Sequence, residues 1–502
     1  MKLLKQAYTS SALLLLLLTS YSCSDFLEQE PGSKTSITEQ LSNKAGALEA
    51  LAGVYRDLEA NVRSATFSMY GDYLGGNITF TPRANGSNVG VIITPFIIEN
   101  VYSFQDQAME SDMESFYDGS YDIINQCNLI LEFINEIPDA SEEEKNQISA
   151  EALTIRAYSH FLLSTVYSQN YGFTTDASHL GIVYNTSTLT SGSIPYPSRE
   201  TVAENYSLIE NDLNEALNLY TNNSALNEGP SYSYFNEYST KALMARFYLY
   251  KTDWDNAFAM ADDVIKNSGI SLTPLPAYVA QWEEPNAPLT ETLLEFSIPR
   301  DDEGNGSAGM SLYFGYNYDS NSGTLLYNQY VGSTDLVDLF EPQDNRLELF
   351  EQFNIPTFVR VEEDQNIYED LPYYFTNKFQ DNAGYIASRL SEMYLIRAEA
   401  SFRNNLLNDA QNDINIIRAR ANASLLTDTS NLEDAILLER RKELCFEGHL
   451  FFDLVRNKKN IRRDAGCLAS ICDLDYPSPK FVAPIPQSNL NLNSNLEQNE
   501  SY

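Results

Sequence analysis

The stretch from residue 438 to 458 carries the densest set of side chains that could do acid and base chemistry. Glu443, Glu447, His449 and Asp453 lie close together, and carboxylates beside an imidazole could act as general acid and general base. Apolar residues in the same stretch recur at three-, four- and seven-residue steps, which predicts one helix with a wide buried face. Gly448 would lie in mid-helix, where its cost of roughly 1 kcal/mol indicates that another backbone comes close. The stretch is therefore either an active site or a scaffold helix.

Other motifs for chemistry are incomplete. GNGSAG at 304–309 has the spacing of a dinucleotide-binding loop, but MSLYFGYNYD follows it where a helix is required. DDEGNG from Asp301 partly resembles a calcium loop, but Leu312 occupies the twelfth position, so a structural calcium stays an open question. The three histidines form no HExxH motif, and no GxSxG or Cys/His nucleophile pattern is present. The sequence therefore predicts no catalytic residues, no cofactor and no metal site.

The overall charge excludes one class of partner. The chain has 502 residues, with 70 acidic and 32 basic side chains and a formal net charge of −38. Binding to nucleic acid requires a basic surface that neutralises phosphates, so we expect no nucleic-acid partner. The 33 tyrosines are more informative, because Tyr offers a flat apolar face with a polar tip and suits exposed binding surfaces.

The first 22 residues have the features of a signal peptide. Lys2 and Lys5 form a basic start, and Leu13 to Leu18 form an apolar run too short to span a bilayer. Small residues then lead to Cys23, in the pattern of a bacterial lipoprotein, which predicts lipidation of Cys23 and a membrane anchor. Residues 23–40 are polar, with Pro31 and Gly32, and are predicted to form a flexible tether.

The remaining cysteines predict no metal site. Cys127 and Cys445 lie on apolar helical stripes and are predicted to be buried. Cys467 and Cys472 flank a short loop, and the sequence leaves open whether they form a local disulfide. A zinc site would need two further ligands, and none is found near them.

Helical periodicity dominates the rest of the chain, residues 41–502, which we interpret as a single domain. The pattern predicts helices at 43–60, 112–137, 141–167, up to Tyr220, at 237–251 and 254–267, and as a pair at 391–421. Small alanines alternate with large aromatics in the helix pairs, which is typical of tetratricopeptide-like hairpins. Two excursions interrupt the array, at 66–105 and 268–386; the second contains the short strand-like runs LLEFSIP and PTFVRVE. From Asp473 onward the chain is predicted to wrap the surface without regular structure.

Three segments resemble a known family. SEMYLIRAEA at 391–400, ERRKELCFEGHLFFDLVR at 439–456 and FVAPIPQSNLNLNSNLEQNESY at 481–502 are similar to the SusD/RagB family of Bacteroidota lipoproteins. The resemblance implies a mainly α fold of about four tetratricopeptide-like helix pairs with long irregular insertions. It also implies a lipid-anchored protein exposed at the outer-membrane surface that is not an enzyme. Such a protein captures a glycan, or in some members a peptide, and delivers it to a TonB-dependent SusC-like transporter. The stretch at 438–458 then becomes a scaffold helix.

The resemblance also places the ligand site in the excursions, here residues 70–105 and 303–330. Sugar rings stack an apolar face on aromatics and offer hydroxyls to Asp, Asn and Arg. The residue types that fit this chemistry are Asp72, Tyr73, Arg83, Asn85, Tyr102, Tyr313, Tyr316, Asn317, Tyr318 and Tyr327. Neither Trp254 nor Trp282 falls in these loops. Three functions stay open: a glycan-binding partner of a transporter, a peptide-binding version of it, and a lipoprotein glycoside hydrolase, which needs only two carboxylates.

Overall fold

The computed structural model describes residues 37–502, except 87, 189–194, 222–223, 227–229, 284–288, 297–309, 380–383 and 464–465. The predicted signal peptide, Cys23 and most of the tether lie outside the described residues, as do 301–309 of the calcium-like motif. The last part of the predicted tether, Ile37–Gln40, is a short helix.

Helices are the main elements, which confirms the predicted fold class. In chain order they are α1 Ile37–Gln40, α2 Lys44–Val62, α3 Tyr70–Gly75, α4 Glu99–Tyr102, α5 Glu114–Phe133, α6 Glu142–Tyr167, α7 Val202–Leu219, α8 Glu237–Lys251, α9 Trp254–Asn267, α10 Tyr278–Glu283, α11 Ser311–Phe314, α12 Thr334–Val337, α13 Leu390–Arg403, α14 Leu407–Arg420, α15 Leu432–Glu443, α16 Leu450–Arg456 and α17 Gln487–Leu492. Short 3-10 segments are Phe96–Ile98, Ile134–Glu136, Ser231–Ser233, Leu275–Ala277, Asn345–Leu349 and Pro479–Phe481.

The starts of the long helices are set by local capping. Asn43 accepts a hydrogen bond from the Gly46 amide at the start of α2. Ser141 and Thr201 form capping boxes at the starts of α6 and α7, so two otherwise unpaired donors are satisfied at each helix. These signals are local in sequence, and the predicted starts at 43 and 141 therefore agree with the structure.

The long helices pack as four pairs, α2 with α5, α6 with α7, α8 with α9, and α13 with α14. Fully buried alanines such as Ala245, Ala257 and Ala261 allow neighbouring helices to approach closely. Large aromatics fill the space between them, as where the rings of Phe161 and Phe247 meet edge-on at 5.8 Å. The predicted tetratricopeptide-like arrangement is confirmed.

The second excursion contains more β-structure than the sequence predicted. β1, Ile78–Phe80, lies in the first excursion. The strands of the second excursion are β2 Thr292–Phe296, β3 Tyr316–Asp319, β4 Thr324–Tyr327, β5 Tyr330–Gly332, β6 Phe350–Glu362, β7 Gln365–Thr376 and β8 Tyr385–Arg389. β1, β5, β7 and β6 form one antiparallel sheet in that order, while β2 pairs with β8 and β3 pairs with β4. The two strand-like runs overlap β2 and β6, but no strand-like run was predicted in their partner strands β8 and β7.

The first excursion is only partly irregular. α3, β1 and α4 lie within it, and every residue of α3 is buried. Its exposed parts are 83–89, apart from the undescribed residue 87, and the turn that begins at Phe96. The prediction of a long irregular excursion over 66–105 is therefore only partly correct, because regular elements form within it and about half of its residues are buried.

The C-terminal segment wraps the helices as predicted, but the prediction that it lacks regular structure is wrong, because α17 and the 3-10 segment Pro479–Phe481 lie within it. The Ala483 amide donates to the Val166 carbonyl at 2.9 Å, and the Gln487 amide donates to the Ala108 carbonyl at 2.7 Å. Cys467 and Cys472 form a disulfide, which settles the alternative left open by the sequence. Cys127 and Cys445 are free and buried, as expected.

Candidate functional site

Three segments meet at one side of the sheet and form a candidate ligand surface. Two of them are the β3–β4 hairpin and the long β6–β7 hairpin. The third is the turn over residues 82–92, whose ends pair through a β-bridge between Pro82 and Ile92. Tyr327 Oη donates to the Pro82 carbonyl at 3.0 Å, which joins β4 to the turn. The Phe358 amide donates to the Gly90 carbonyl at 2.8 Å, which joins the turn to β6. The structure therefore brings the exposed parts of both predicted excursions together.

Gly90 permits the close docking of the turn onto the long hairpin. Its φ is +80°, and a Cβ at this position would lie 2.6 Å from the ring of Tyr368. Any other residue would be strained and would push the turn away from β7. The relative position of the hairpins thus depends on this glycine.

Aromatic rings cover the middle of the surface. The ring of Tyr316 lies 5.1 Å from that of Phe375 and 5.7 Å from that of Phe353. The ring of Tyr318 lies 5.1 Å from that of Phe353 and is 45% exposed. Tyr318 is therefore supported from below and open to solvent, which is the arrangement needed for stacking against an apolar ring face.

Polar groups border the aromatic cluster. Tyr316 Oη lies 2.6 Å from both Glu351 Oε2 and Asn377 Oδ1, and the Asn377 amide donates to Glu283 Oε1 at 3.1 Å. Burial, and then the hydrogen bond to Glu351, raises the pKa of Tyr316, so its hydroxyl keeps its proton. Asn317 is exposed, but it lies between Tyr316 and Tyr318 on β3, and side chains alternate along a strand, so it faces away from the aromatic cluster. The rim offers carboxylate and amide oxygens to the hydroxyl groups of a ligand.

Arg83 and Asn85 lie at the exposed tip of the turn over residues 82–92. Among the described residues, the side chains of both have no hydrogen bond or ion pair. The guanidinium of Arg83 therefore remains available for a bidentate contact with a ligand. Tyr313 lies further off: it is half-buried, and its hydroxyl donates to the Arg63 carbonyl at 3.1 Å.

The prediction of ligand contact is wrong for Asp72, Tyr73 and Tyr102, because these side chains are at most 1% exposed. Asp72 accepts hydrogen bonds from the amides of Phe446 and Gly448 at 2.8 and 2.7 Å, so it fastens α3 to the 438–458 stretch.

Tyr73 and Tyr102 also make contacts inside the core. Tyr73 Oη donates to the Thr66 carbonyl at 2.7 Å. The ring of Tyr102 lies under the guanidinium of Arg463, 4.5 Å from its carbon. None of the three side chains can reach a ligand in solution.

Sequence reasoning missed Glu351, Phe353 and Asn377. They lie on β6 and just after β7, outside the predicted loop at 303–330. The strand-like run PTFVRVE was the only local signal for this hairpin, and it lies further along β6. Their place in the surface depends on the pairing of two distant hairpins.

The 438–458 stretch is two helices, so the prediction of one continuous helix is wrong. α15 ends at Glu443 and α16 begins at Leu450, with φ values of +67° at Phe446 and +80° at Gly448 between them. The expected close backbone approach is present, although in a turn: a Cβ on Gly71 would lie 2.1 Å from the Gly448 carbonyl oxygen.

The acidic side chains of this stretch are neutralised by buried cations. Glu443 lies 2.7 Å from Arg389 and 3.0 Å from Arg346. Glu447 lies 2.7 Å from Arg389 and 2.9 Å from Lys378. All five side chains are at most 3% exposed, so this network supports the fold and offers no free acid or base.

The other two candidate catalytic residues, Asp453 and His449, are also buried. Burial opposes the ionised form of Asp453, but Arg440 and Arg456 outweigh it and hold the pKa at about 2. Burial lowers the pKa of His449 to about 4, so its imidazole is neutral. Within the part of the chain that the structure describes, no three His, Cys, Asp or Glu side chains cluster as a metal ion would require. In the same part, no helix combines the length and apolar character needed to cross a membrane.

Comparison with known proteins adds independent information. A model described as "SusD family" matches residues 370–502, and one described as "Starch-binding associating with outer membrane" matches residues 25–249. SusD-like protein P38 of Formosa agariphila is 24% identical over 96% of both chains. Starch-binding protein SusD of Bacteroides thetaiotaomicron is 38% identical over 23% of this chain and 21% of its own. A SusD superfamily structure from Bacteroides vulgatus is 26% identical, covers 92% of this chain and 99% of its own, and superposes with a TM-score of 0.76.

Proposed function

Because this chain belongs to the SusD family, we propose that it captures a glycan at the outer membrane and delivers it to a TonB-dependent, SusC-like transporter. The observation that carries the proposal is the exposed ring of Tyr318, supported by Phe353 at 5.1 Å and bordered by oxygen-rich side chains. Family models and relatives named for starch and sugar binding support a glycan as the ligand class.

The surface chemistry favours a polyhydroxylated ligand over an apolar one. Tyr316, Glu351 and Asn377 already share one hydrogen-bond chain, and such a chain can accept further donors at its oxygen atoms. Stacking on Tyr318 would supply contact area, while Arg83 would donate hydrogen bonds to the hydroxyl groups of the ligand.

Delivery to a transporter requires a docking face as well as a ligand surface. Phe96, Ile97 and Met109 are 87%, 53% and 79% exposed, which is unusual for large apolar side chains close in the chain. We propose that these exposed apolar side chains contact the transporter. Lipidation of Cys23 would tether the protein to the membrane that holds the transporter, and exposure at the cell surface follows from capture of an external glycan.

The test is affinity electrophoresis and calorimetry of the mature protein against a panel of polysaccharides and peptides. Tyr318→Ala should weaken binding of the recognised glycan about tenfold, since an aromatic contact contributes roughly 0.5–1.5 kcal/mol beyond its buried area. Tyr196→Ala is the matched control, because Tyr196 is 52% exposed and lies against the C-terminal segment. Equal affinities of the two variants would place the ligand elsewhere.

The same panel separates the other two functions. Binding of extended peptides with no glycan retained would favour the peptide-binding version. Release of reducing sugar from a retained polysaccharide by purified protein would favour a glycoside hydrolase. For the partner, a detergent extract should co-purify a large β-barrel transporter, and Phe96→Asp with Met109→Asp should abolish that association while glycan affinity is unchanged. Loss of both transporter association and glycan binding in this variant would count against separate surfaces for the transporter and the glycan.

A further inference from the structure

Two carboxylates border the aromatic cluster of the candidate ligand surface. Glu351 lies two residues before Phe353 on β6, so both side chains point to the same face of the strand. Glu351 Oε2 accepts from Tyr316 Oη at 2.6 Å. Glu283 Oε1 belongs to the same hydrogen-bond chain, because it accepts from the Asn377 amide at 3.1 Å. Two negative charges therefore form part of the rim.

Nearby cations do not neutralise these carboxylates. Glu351 and Glu283 are both exposed, and neither forms an ion pair with another described residue. Arg360, on the same hairpin as Glu351, is already paired with two other carboxylates at 3.1 and 3.2 Å. Lys378, next to the rim in the chain, is buried and pairs with Glu447 at 2.9 Å. The rim therefore keeps its negative charge.

The hydroxyl of Tyr316 reports the potential at this place. Burial raises the pKa of Tyr316, and the hydrogen bond and the charge of Glu351 raise it further. The charge of Glu283 acts in the same direction, whereas the hydrogen bond to Asn377 opposes it. A negative group placed beside Tyr316 meets the same two carboxylates, so its binding is opposed.

Arg83 is the one other cation in the three segments that form the surface. Its guanidinium can pair with a single anionic group. A sulfated polysaccharide or a polyuronate carries charges at repeated positions, and one guanidinium cannot balance them all. The remaining charges would face Glu351 and Glu283. The formal net charge of −38 adds a repulsion that acts on a polyanion before contact.

We propose that the candidate ligand surface takes an uncharged glycan and discriminates against polysaccharides that carry sulfate or carboxylate groups. Glu351 is the specificity-determining residue, because it is exposed, borders the aromatic cluster and has no cation of its own among the described residues. An uncharged glycan uses the same carboxylates favourably, since its hydroxyl groups donate hydrogen bonds to them. The inference rests on the proposed function and narrows the class of ligand.

The experiment compares polysaccharides that share a backbone and differ in charge. The pairs are dextran with dextran sulfate, laminarin with laminarin sulfate, and methyl-esterified pectin with its saponified form. In calorimetry of the mature protein at about 50 mM NaCl, the uncharged member of a recognised pair should bind at least about tenfold more tightly. At about 0.5 M NaCl this preference should shrink, because salt screens repulsion between exposed charges.

Glu351→Gln tests the assigned residue. Glutamine keeps a side-chain oxygen that accepts from Tyr316 but carries no charge, so the preference for the uncharged member should fall at least about threefold. Glu49→Gln is the matched control. Glu49 is exposed on α2, which contributes no residue to the surface, and its substitution removes the same unit of charge. The preference should be unchanged in this control.

The outcomes separate this inference from the proposed function. An anionic member that binds as tightly as its uncharged partner would overturn the inference and leave glycan capture intact. Equal changes in Glu351→Gln and Glu49→Gln would overturn it too, because the preference would then come from overall charge. If Tyr318→Ala left binding of the uncharged member unaltered, the preference would arise at another site. If the unaltered protein retained no polysaccharide, the proposed function would fail and this inference with it.

Discussion

Replacing Arg389 by methionine should destabilise the protein by about 3–5 kcal/mol, because it leaves several buried carboxylates without their cation. Arg389 is 1% exposed, and its guanidinium lies 2.6 Å from Glu291 and 2.7 Å from both Glu443 and Glu447. Methionine fills similar volume but donates no hydrogen bond. Lys378 can compensate for part of the charge, through its contact with Glu447 at 2.9 Å.

The matched control is Arg360→Met on the β6–β7 hairpin. Arg360 pairs with Glu362 at 3.1 Å and Glu369 at 3.2 Å, but its side chain is 54% exposed. Water screens such pairs, so this substitution should cost about 0–1 kcal/mol. Urea unfolding followed by circular dichroism measures both variants against the unaltered chain. Similar unfolding midpoints for Arg389→Met and Arg360→Met would refute the assignment of the buried network as the support of the fold.

Acidification provides a second readout. Burial raises the pKa of Glu443, but Arg420, Arg389 and Arg346 outweigh it and hold the pKa well below its ordinary value of 4.5. A carboxyl group with a lowered folded-state pKa contributes stability above the unfolded-state pKa and loses it as the pH falls. The unaltered chain should therefore lose this contribution below about pH 4.5, and Arg389→Met should lose less because part of it is already absent.

Gly71→Ala should destabilise the fold by roughly 1–3 kcal/mol, since its Cβ would meet the Gly448 carbonyl at 2.1 Å. Gly53→Ala in α2 should instead stabilise the fold by about 0.4–1 kcal/mol, because nothing lies within 4 Å of the added carbon. Thermal unfolding of the Gly71→Ala and Gly53→Ala variants measures both effects. Burial lowers the pKa of His160 to about 3, so acidification from about pH 6.5 should destabilise the native state through this group. His160→Gln should reduce the difference in unfolding free energy between pH 7 and pH 4. His449→Ala should impair folding or transporter docking more than glycan affinity, and selective loss of glycan binding in a stably folded variant would contradict this expectation.

Local sequence signals located most of the long helices. The observed helices Glu237–Lys251 and Trp254–Asn267 coincide with the predicted ones. Their ends depend on caps within a few residues, such as Asn236 at the start of α8 and Asp253 at the start of α9. Capping and 3.6-residue periodicity are properties of neighbouring residues, and a single sequence contains them.

The 438–458 stretch shows where local signals fail. Its apolar pattern continues through the position where the helix ends, so periodicity alone predicts one helix. The break at Phe446 and Gly448 is stabilised by Asp72, which accepts hydrogen bonds from the backbone amides of both residues. Asp72 is hundreds of residues away in the chain, and no helical pattern can report a contact of that range.

The sequence by itself determined the helical scaffold, the family resemblance and the residue types of the candidate ligand surface. Tyr318 and Asn317 were predicted because the family resemblance implies a ligand site in the excursions and their side chains suit a sugar. Only the tertiary structure decided which tyrosines are accessible, since Tyr73 and Tyr318 have the same side chain but are 0% and 45% exposed. Exposure depends on what packs against a residue from elsewhere in the chain, and the sequence encodes that packing only through the complete fold.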